Sequence, residues 1–292
     1  LRERFGLSRL ADLYQRLAER APREWASEHR SAPPPAEDAR PLPRVDLPGW
    51  RGLYQLPTLI LRQLKVTARE GLGLAVLLAQ APVIAALIAL AYDVGSPLGR
   101  AEVGFKLAIS AIWLGCISTC QELVKDRAIY RRERLAGLSS LAYLAAKAGV
   151  ALLLCLLQAV LLTATLYALD PLAEPPAAVA GVLACAAAAG GALGLAISAA
   201  VGTRTAAVGV TPLVLVPQIL FVGTLLPLSG WAAEVGRLMP SHWANESIRA
   251  LLLDGAAWPA ASCGVLLAFC LAFLALSGGL TAARDHLTRS AR

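Results

Sequence analysis

Charged side chains that could bind carboxylates or anions are concentrated in one short part of the sequence. Five basic residues lie between Lys125 and Arg134, and Glu133 lies among them. Guanidinium and carboxylate groups form charge-assisted hydrogen bonds, so this basic segment has the chemistry of an electrostatic contact surface. It lies between two long apolar runs, in a chain that is 57% hydrophobic and only 16% charged. A lipid bilayer explains the arrangement, because basic loops flank the apolar spans of polytopic membrane proteins.

Groups suited to catalysis or metal binding form no recognisable cluster in the sequence. Cys116 and Cys120 share a helix face, but no histidine lies near them, so we expect all six cysteines to fill apolar space rather than bind metal. The three histidines, His29, His242 and His286, are far apart. The sequence contains no G-x-x-x-x-G-K-S/T, H-E-x-x-H or G-x-S-x-G motif. Any ATP hydrolysis is therefore expected in another domain or subunit.

The apolar runs are too long for the core helices of a soluble protein. The mean hydropathy of +0.59 agrees with this, and the net charge of +7 comes from basic residues that flank the runs, so we expect no nucleic-acid partner. We predict an all-α membrane protein whose six transmembrane helices cover residues 71–92, 102–121, 148–169, 176–201, 208–228 and 259–282. Near the start of the second span, Glu102 and Lys106 are four residues apart and should pair.

Lysine and arginine residues before the first span, after even-numbered spans and after the last span predict that both termini are cytoplasmic. Within the spans, polar residues are few, and no carboxylate or histidine lies at mid-membrane depth. Carriers and pumps that use protons need such a group, so the sequence gives no indication that these spans use a proton gradient to drive transport.

Three segments precede the first span. Residues 1–30 have the pattern of an amphipathic helix, residues 31–49 form a proline-rich linker, and residues 50–70 predict a helix in the membrane interface with a basic face toward lipid head groups. A basic flank without a special role is the alternative for the third segment. The one methionine is Met239, and we expect a longer polypeptide that continues upstream of Leu1.

The basic segment resembles the region after the second span in the ABCG-like, type-2 family of ABC exporter permeases. The resemblance rests on Glu122, the block R-A-I-Y-R-R-E-R at 127–134, Gly137 and the block L-A-Y-L-A-A-K at 141–147. A second similarity covers F-V-G-T-L-L at 221–226 and L-M-P-S-H-W at 238–243, followed by an amphipathic helix to Leu253. The stretch L-Y-Q-R-L-A-E-R-A-P-R-E-W-A near the start resembles the trailing helix of an ATPase domain fused upstream, as in bacterial exporters.

The resemblance implies that the basic segment contacts an ATP-binding domain, which would bind ATP and Mg²⁺ and would belong to the same polypeptide. The residues implied in coupling are Arg127, Tyr130, Arg131, Arg132, Glu133 and Arg134. The alternative is that the segment is only a positive-inside anchor, which explains its charges but not Tyr130, Glu133 and Tyr143 at the family spacing.

The resemblance also implies that two copies form a homodimer in a bacterial plasma membrane. Trp113 and Cys116 on the second span, and Gln218, Phe221 and Thr224 on the fifth, would line the substrate pathway, and Leu225 and Leu226 would form its gate. Nearly uncharged spans suit the export of a lipid, a glycolipid or another hydrophobic compound. A scaffold protein without transport activity and a membrane enzyme acting on lipid are the alternatives. The enzyme would need an acid, base or nucleophile cluster that is not recognisable in the sequence.

Overall fold

The described residues form an assembly of helices. The computed structural model describes residues 24, 51–92, 96–222 and 229–290, and this part of the chain contains no β-strand. After a 3-10 helix at Arg51–Gln55 come α1 (Leu56–Arg69), α2 (Gly71–Ala91), α3 (Pro97–Thr119), α4 (Glu122–Lys125), α5 (Arg127–Leu135), α6 (Ser140–Leu169), α7 (Pro176–Ala200), α8 (Arg204–Leu220), α9 (Trp231–Arg237), α10 (Pro240–Leu252) and α11 (Ala260–Ser290). Except for Glu24, the predicted trailing helix at 1–30 and linker at 31–49 lie outside the described residues.

Five helical segments of the described chain are long and apolar enough to cross a membrane. They are Gly71–Ala91, Pro97–Lys125, Ser140–Leu169, Pro176–Ala200 and Ala260–Asp285. This confirms the all-α membrane class. The span predicted at 208–228 corresponds to the 17-residue α8 and continues into residues 223–228, which are not described. The count of six spans therefore stays a prediction.

Capping residues set the starts of two spans earlier than the apolar pattern suggests. Ser96 accepts a hydrogen bond from the Gly99 N–H, and Pro97 occupies the first turn of α3. Ser139 accepts one from the Ala142 N–H and starts α6. Serine at the N-cap and proline in the first turn satisfy or remove otherwise unpaired N–H groups. α6 consequently includes Lys147, which the predicted span from residue 148 left outside.

α7 is the central helix and packs against α3, α6, α10 and α11. Of its most apolar window, 72% is buried, compared with 17% for α2. Its contact with α3 is close because glycines face backbone atoms: a Cβ added at Gly190 would lie 2.2 Å from the Ile112 carbonyl oxygen, and one at Gly115 would lie 2.2 Å from that of Ala187. Small residues allow membrane helices to approach in this way.

At the end of the bundle away from α4 and α5, α10 covers the start of α3. Its apolar residues Ile248, Leu251 and Leu252 are buried in the main core, which confirms the predicted amphipathic helix in this region. Lys106 forms the predicted ion pair with Glu102. The segment predicted as an interfacial helix at 50–70 consists of the 3-10 helix and α1. The buried face of α1 contains Leu59 and Gln63.

Candidate functional site

The candidate site is the basic end of the bundle, formed by α1, α4, α5, the start of α6 and the ends of α7 and α11. A second apolar cluster holds these elements together; it includes Leu59, Leu123, Tyr130, Leu138, Tyr143 and Leu195. Polar contacts at this end fall into four groups, which determine the surface of α5 that remains available to a partner.

The first group joins α4 and α5 to the end of α7. The buried Ser198 hydroxyl accepts hydrogen bonds from the Leu123 and Val124 N–H groups at 2.9 and 3.0 Å. Arg127 donates to the carbonyl oxygens of Ser198, Val201 and Gly202 at 3.2, 2.7 and 3.2 Å. A guanidinium at this position satisfies unpaired carbonyls at a helix C-terminus and matches the negative end of the helix dipole. Arg127 is therefore a structural anchor for α5.

The second group joins α5 to α11. The Tyr130 hydroxyl donates to Asp285 Oδ2 at 2.7 Å, and Arg134 Nε lies 3.3 Å from the same oxygen. The Tyr130 ring packs against the Tyr143 ring at a centroid distance of 4.6 Å. Burial, followed by the hydrogen bond to Asp285, raises the pKa of Tyr130 above its ordinary value. The phenol therefore keeps its proton and remains a donor at neutral pH.

The third group fixes the turn after α5. Gly137 has φ +97°, a conformation that favours glycine, and the Leu138 N–H donates to the Glu133 carbonyl at 3.0 Å. Gln55 closes the turn against the 3-10 helix, because its Nε2 donates to the Gly137 carbonyl at 3.1 Å and its Oε1 accepts from the Ser139 N–H at 3.0 Å.

The fourth group connects α1 with α4, α5 and α6 through ion pairs. Arg62 Nη1 lies 2.5 Å from Glu133 Oε1. Lys147, of which only 3% of the side chain is exposed, lies 3.1 Å from Glu122 and 2.5 Å from Asp126. Lys125 also pairs with Glu122. Gln63 on α1 donates to the same carboxylate at 3.2 Å. α1 is thus bonded to Glu133 of α5 through Arg62, and through Gln63 to Glu122 of α4, which pairs with the buried Lys147.

What these contacts leave exposed is one face of α5. Arg131 and Arg132 are exposed and have no hydrogen bond or ion pair within the described residues. Ile129 and Leu135 are 45% and 76% exposed beside them. Four of the six predicted coupling residues therefore contact their own chain: Arg127, Tyr130, Glu133 and Arg134. The other two, Arg131 and Arg132, face outward beside the two apolar residues. Basic groups around apolar side chains are typical of a protein contact surface.

The predicted pathway residues occupy different environments. Cys116 is fully buried in the main core, and Trp113 packs against that core with no hydrogen-bond partner for its indole N–H within the described chain. Gln218 is buried; its Oε1 accepts from the Ser241 N–H at 3.2 Å. Phe221 packs edge-on against the Trp231 ring. Thr224 and the predicted gate, Leu225 and Leu226, lie outside the described residues, and their roles stay predictions.

Several residues of the site were not found from the sequence. Asp285, Ser198 and Arg62 lie in other helices, and no local spacing marks them as partners of α4 or α5. Glu122 and Lys147 were noted as parts of a resemblance, but not as a pair. Their signal in the sequence is their charge: a lysine inside an apolar helix requires a carboxylate nearby. Among the described residues, no cluster of histidine, cysteine and carboxylate side chains could hold a metal ion.

Comparison with known proteins agrees with this architecture. Residues 54–253 match the ABC-2 type transporter family. The chain therefore belongs to this family, and it is an integral membrane protein of the permease type. It is also similar to the ABC transporter ATP-binding/permease protein Rv1747 of Mycobacterium tuberculosis, with 26% identity over 263 residues. The alignment covers 82% of this chain and 30% of that relative, so the chain spans about a third of the relative's length.

Proposed function

We propose that the chain is the membrane half of an ATP-driven exporter, which moves a lipid, a glycolipid or another hydrophobic compound out of the cytoplasm or the inner leaflet. In this proposal, two copies form the pathway in a bacterial plasma membrane with both termini in the cytoplasm. The mycobacterial relative is named an ATP-binding/permease protein, which supports an ATP-binding domain in the same polypeptide.

The observation that carries the proposal is the exposed face of α5. The helix is held by α7 through Arg127, by α11 through Tyr130 and by α1 through Glu133. An element with three such attachments would transmit the movement of a docked domain to several spans at once. A segment that only oriented the chain would need basic residues but none of these specific bonds.

Reversing the two outward charges tests this role. In the assembled transporter reconstituted into liposomes, Arg131→Glu combined with Arg132→Glu should weaken the contact with the ATP-binding domain and separate ATP hydrolysis from transport. Membrane insertion should persist, because both side chains are exposed and make no bond within the described chain. Arg249→Glu is the matched control, since Arg249 is an exposed arginine of α10.

The result also decides between transporter and scaffold. ATP hydrolysis stimulated by a candidate substrate, and lost in the double variant but not in the control, supports the exporter. Native coupling in the double variant would mean that α5 is only an anchor. The absence of any ATP-dependent transport in the unaltered assembly, with all candidate lipids, would favour a scaffold.

A further inference from the structure

A cavity of about 320 Å³ lies at the basic end, between α1, the first two turns of α2, the end of α3 and α6. Its lining includes none of the pathway residues that the structure describes, namely Trp113, Cys116, Gln218 and Phe221. Its volume falls at the lower end of the range for small-molecule sites, so it is large enough for a polar head group and a few methylene groups.

The lining of the cavity is divided into a polar and an apolar part. Polar side chains come from α1, α4, the residues next to these helices, the end of α3, the start of α6 and the start of α8; they include Thr67, Glu70, Ser118, Thr119, Gln121, Lys125, Lys147 and Arg204. Apolar side chains come from deeper turns of α2, α3 and α6; they include Leu74, Leu77, Ile117, Val150 and Leu154. From Glu70 to Leu77 the helix rises by about 10 Å. The wall of the cavity is thus polar at one end and apolar at the other. This arrangement matches an amphiphile that lies along the spans.

Charge in the cavity is unevenly matched. Lys125 pairs with Glu122 and lies 3.7 Å from Glu70, and Lys147 pairs with Glu122 and Asp126, so the charges of both lysines are matched by carboxylates. Arg204 has no hydrogen bond or ion pair within the described residues, and Thr67 and Gln121 likewise have side chains without a hydrogen bond there. An unpaired guanidinium beside uncommitted hydroxyl and amide groups favours a phosphate, which offers several acceptor oxygens.

Gln158, which is not itself a lining residue, joins two walls of the cavity by bonding to Leu77 of α2 and Ser118 of α3. Its Nε2 donates to the Leu77 carbonyl at 3.0 Å, and its Oε1 accepts from the Ser118 hydroxyl at 3.3 Å. α2, which forms one wall, is the least buried of the candidate spans. Gly73, which lines the cavity, is exposed, so the cavity borders the exposed side of α2, and acyl chains could leave it along α2 without entering the core.

We propose that this cavity binds the phosphate-bearing head group of a membrane phospholipid, with Arg204 contacting the phosphate and the acyl chains passing Leu74 and Leu77. The phospholipid need not be the transported compound, so the inference does not depend on the proposed cargo. Glu122 and Lys147 line the cavity, and Gln63 links Glu122 to α1. The bound lipid would therefore lie against the ion pair of Glu122 and Lys147.

Two substitutions of glycine in α2 provide a matched test. A Cβ added at Gly73 or at Gly71 meets no atom within 4 Å, but only Gly73 lines the cavity. Gly73→Phe should fill the cavity and displace the lipid, whereas Gly71→Phe should not. Arg204→Gln removes the unpaired charge at an exposed position and should leave the fold intact.

The measurement is phosphatidylglycerol binding to the purified full-length transporter in detergent, followed by native mass spectrometry. We expect Gly73→Phe and Arg204→Gln each to weaken binding by about tenfold or more, as expected for loss of a hydrogen bond to a charged group or of the space itself. Diacylglycerol, which lacks the phosphate, and glycerol phosphate, which lacks the chains, should each bind much more weakly. Equal retention in the Gly73→Phe and Gly71→Phe variants would overturn the proposal. Diacylglycerol binding as tightly as phosphatidylglycerol would overturn the phosphate contact, and glycerol phosphate binding as tightly would overturn the lipid assignment.

Discussion

At the scale of residues, the role of each charged side chain at the basic end follows from the groups that it contacts. Lys147 is almost fully buried between two carboxylates, so it cannot contact a docked domain and instead keeps α4 attached to α6. Removing one member of such a buried group leaves an uncompensated charge, which is strongly destabilising. The pair of Arg62 and Glu133 is different, because 43% and 31% of these side chains are exposed. A pair of this kind contributes little to stability, about 0.2 to 1 kcal/mol.

Because the ion pair of Arg62 and Glu133 contributes little to the free energy of unfolding, substituting Glu133 tests the role of the pair in transport without unfolding the protein. Glu133→Arg should lower ATP-dependent transport by the assembled transporter, because it detaches α5 from α1, while the unfolding free energy should change by less than about 1 kcal/mol. The exchange of both charges, Arg62→Glu with Glu133→Arg, should restore much of the transport. Transport and denaturant stability are measured on the same preparations. If the exchanged variant is no better than Glu133→Arg alone, the bond to α1 is not what Glu133 contributes.

At the scale of elements, the spans are positioned by the close contact of α3 with α7. Gly115, Gly190 and Gly194 each face a backbone carbonyl of the neighbouring helix, and an added Cβ would lie within 2.2 to 2.4 Å of it. A backbone atom cannot rotate away as a side chain can. A methyl group at these positions must therefore push the helices apart, and the displacement would reach α4 through Ser198 on α7.

Gly190→Ala should accordingly lower the unfolding free energy by about 1 to 3 kcal/mol, the usual cost of overpacking. Gly209→Ala is the control: Gly209 lies within α8, and an added Cβ there meets no atom within 4 Å. The control should not be destabilised, since alanine favours helix more than glycine does. The two variants are compared by their denaturant midpoints in detergent. Equal midpoints would show that α3 and α7 are not tightly packed at Gly190.

The apolar runs were sufficient to predict the helical membrane class and the approximate position of each candidate span. They did not predict that α6 begins at Ser140, because Lys147 resembles the polar edge of a span until its carboxylate partners are known. The contacts of α5 could not be predicted from the sequence either. Tyr130 and Asp285 are 155 residues apart, and hydrophobic periodicity contains no information on such pairs. The basic segment was found because its charges and its family spacing are local features.

At the scale of the whole molecule, the distribution of basic residues predicts cytoplasmic termini, and exposed residues at the two ends of the bundle allow this orientation to be tested. Ser229 is exposed near α9, and Ala136 is exposed beside α5. Ser241 lies in the same predicted exterior region as Ser229, but it is only 2% exposed, so it is unsuitable for labelling. In intact cells, an impermeant thiol reagent should label Ser229→Cys and not Ala136→Cys. The unaltered chain gives the background, since five of its cysteines are buried and Cys185 is partly buried. The opposite labelling pattern would contradict the orientation.

The central claim is that the exposed face of α5 is the docking surface for an ATP-binding domain. A photoreactive amino acid in place of Arg132 tests it in intact cells that express the full-length protein, with Leu238, a 71% exposed residue next to α9, as the control position. Crosslinked peptides are identified by mass spectrometry. Adducts between position 132 and an ATP-binding domain, absent at position 238, are the predicted result. Adducts of position 132 with lipid alone, or the same adducts at both positions, would contradict the claim.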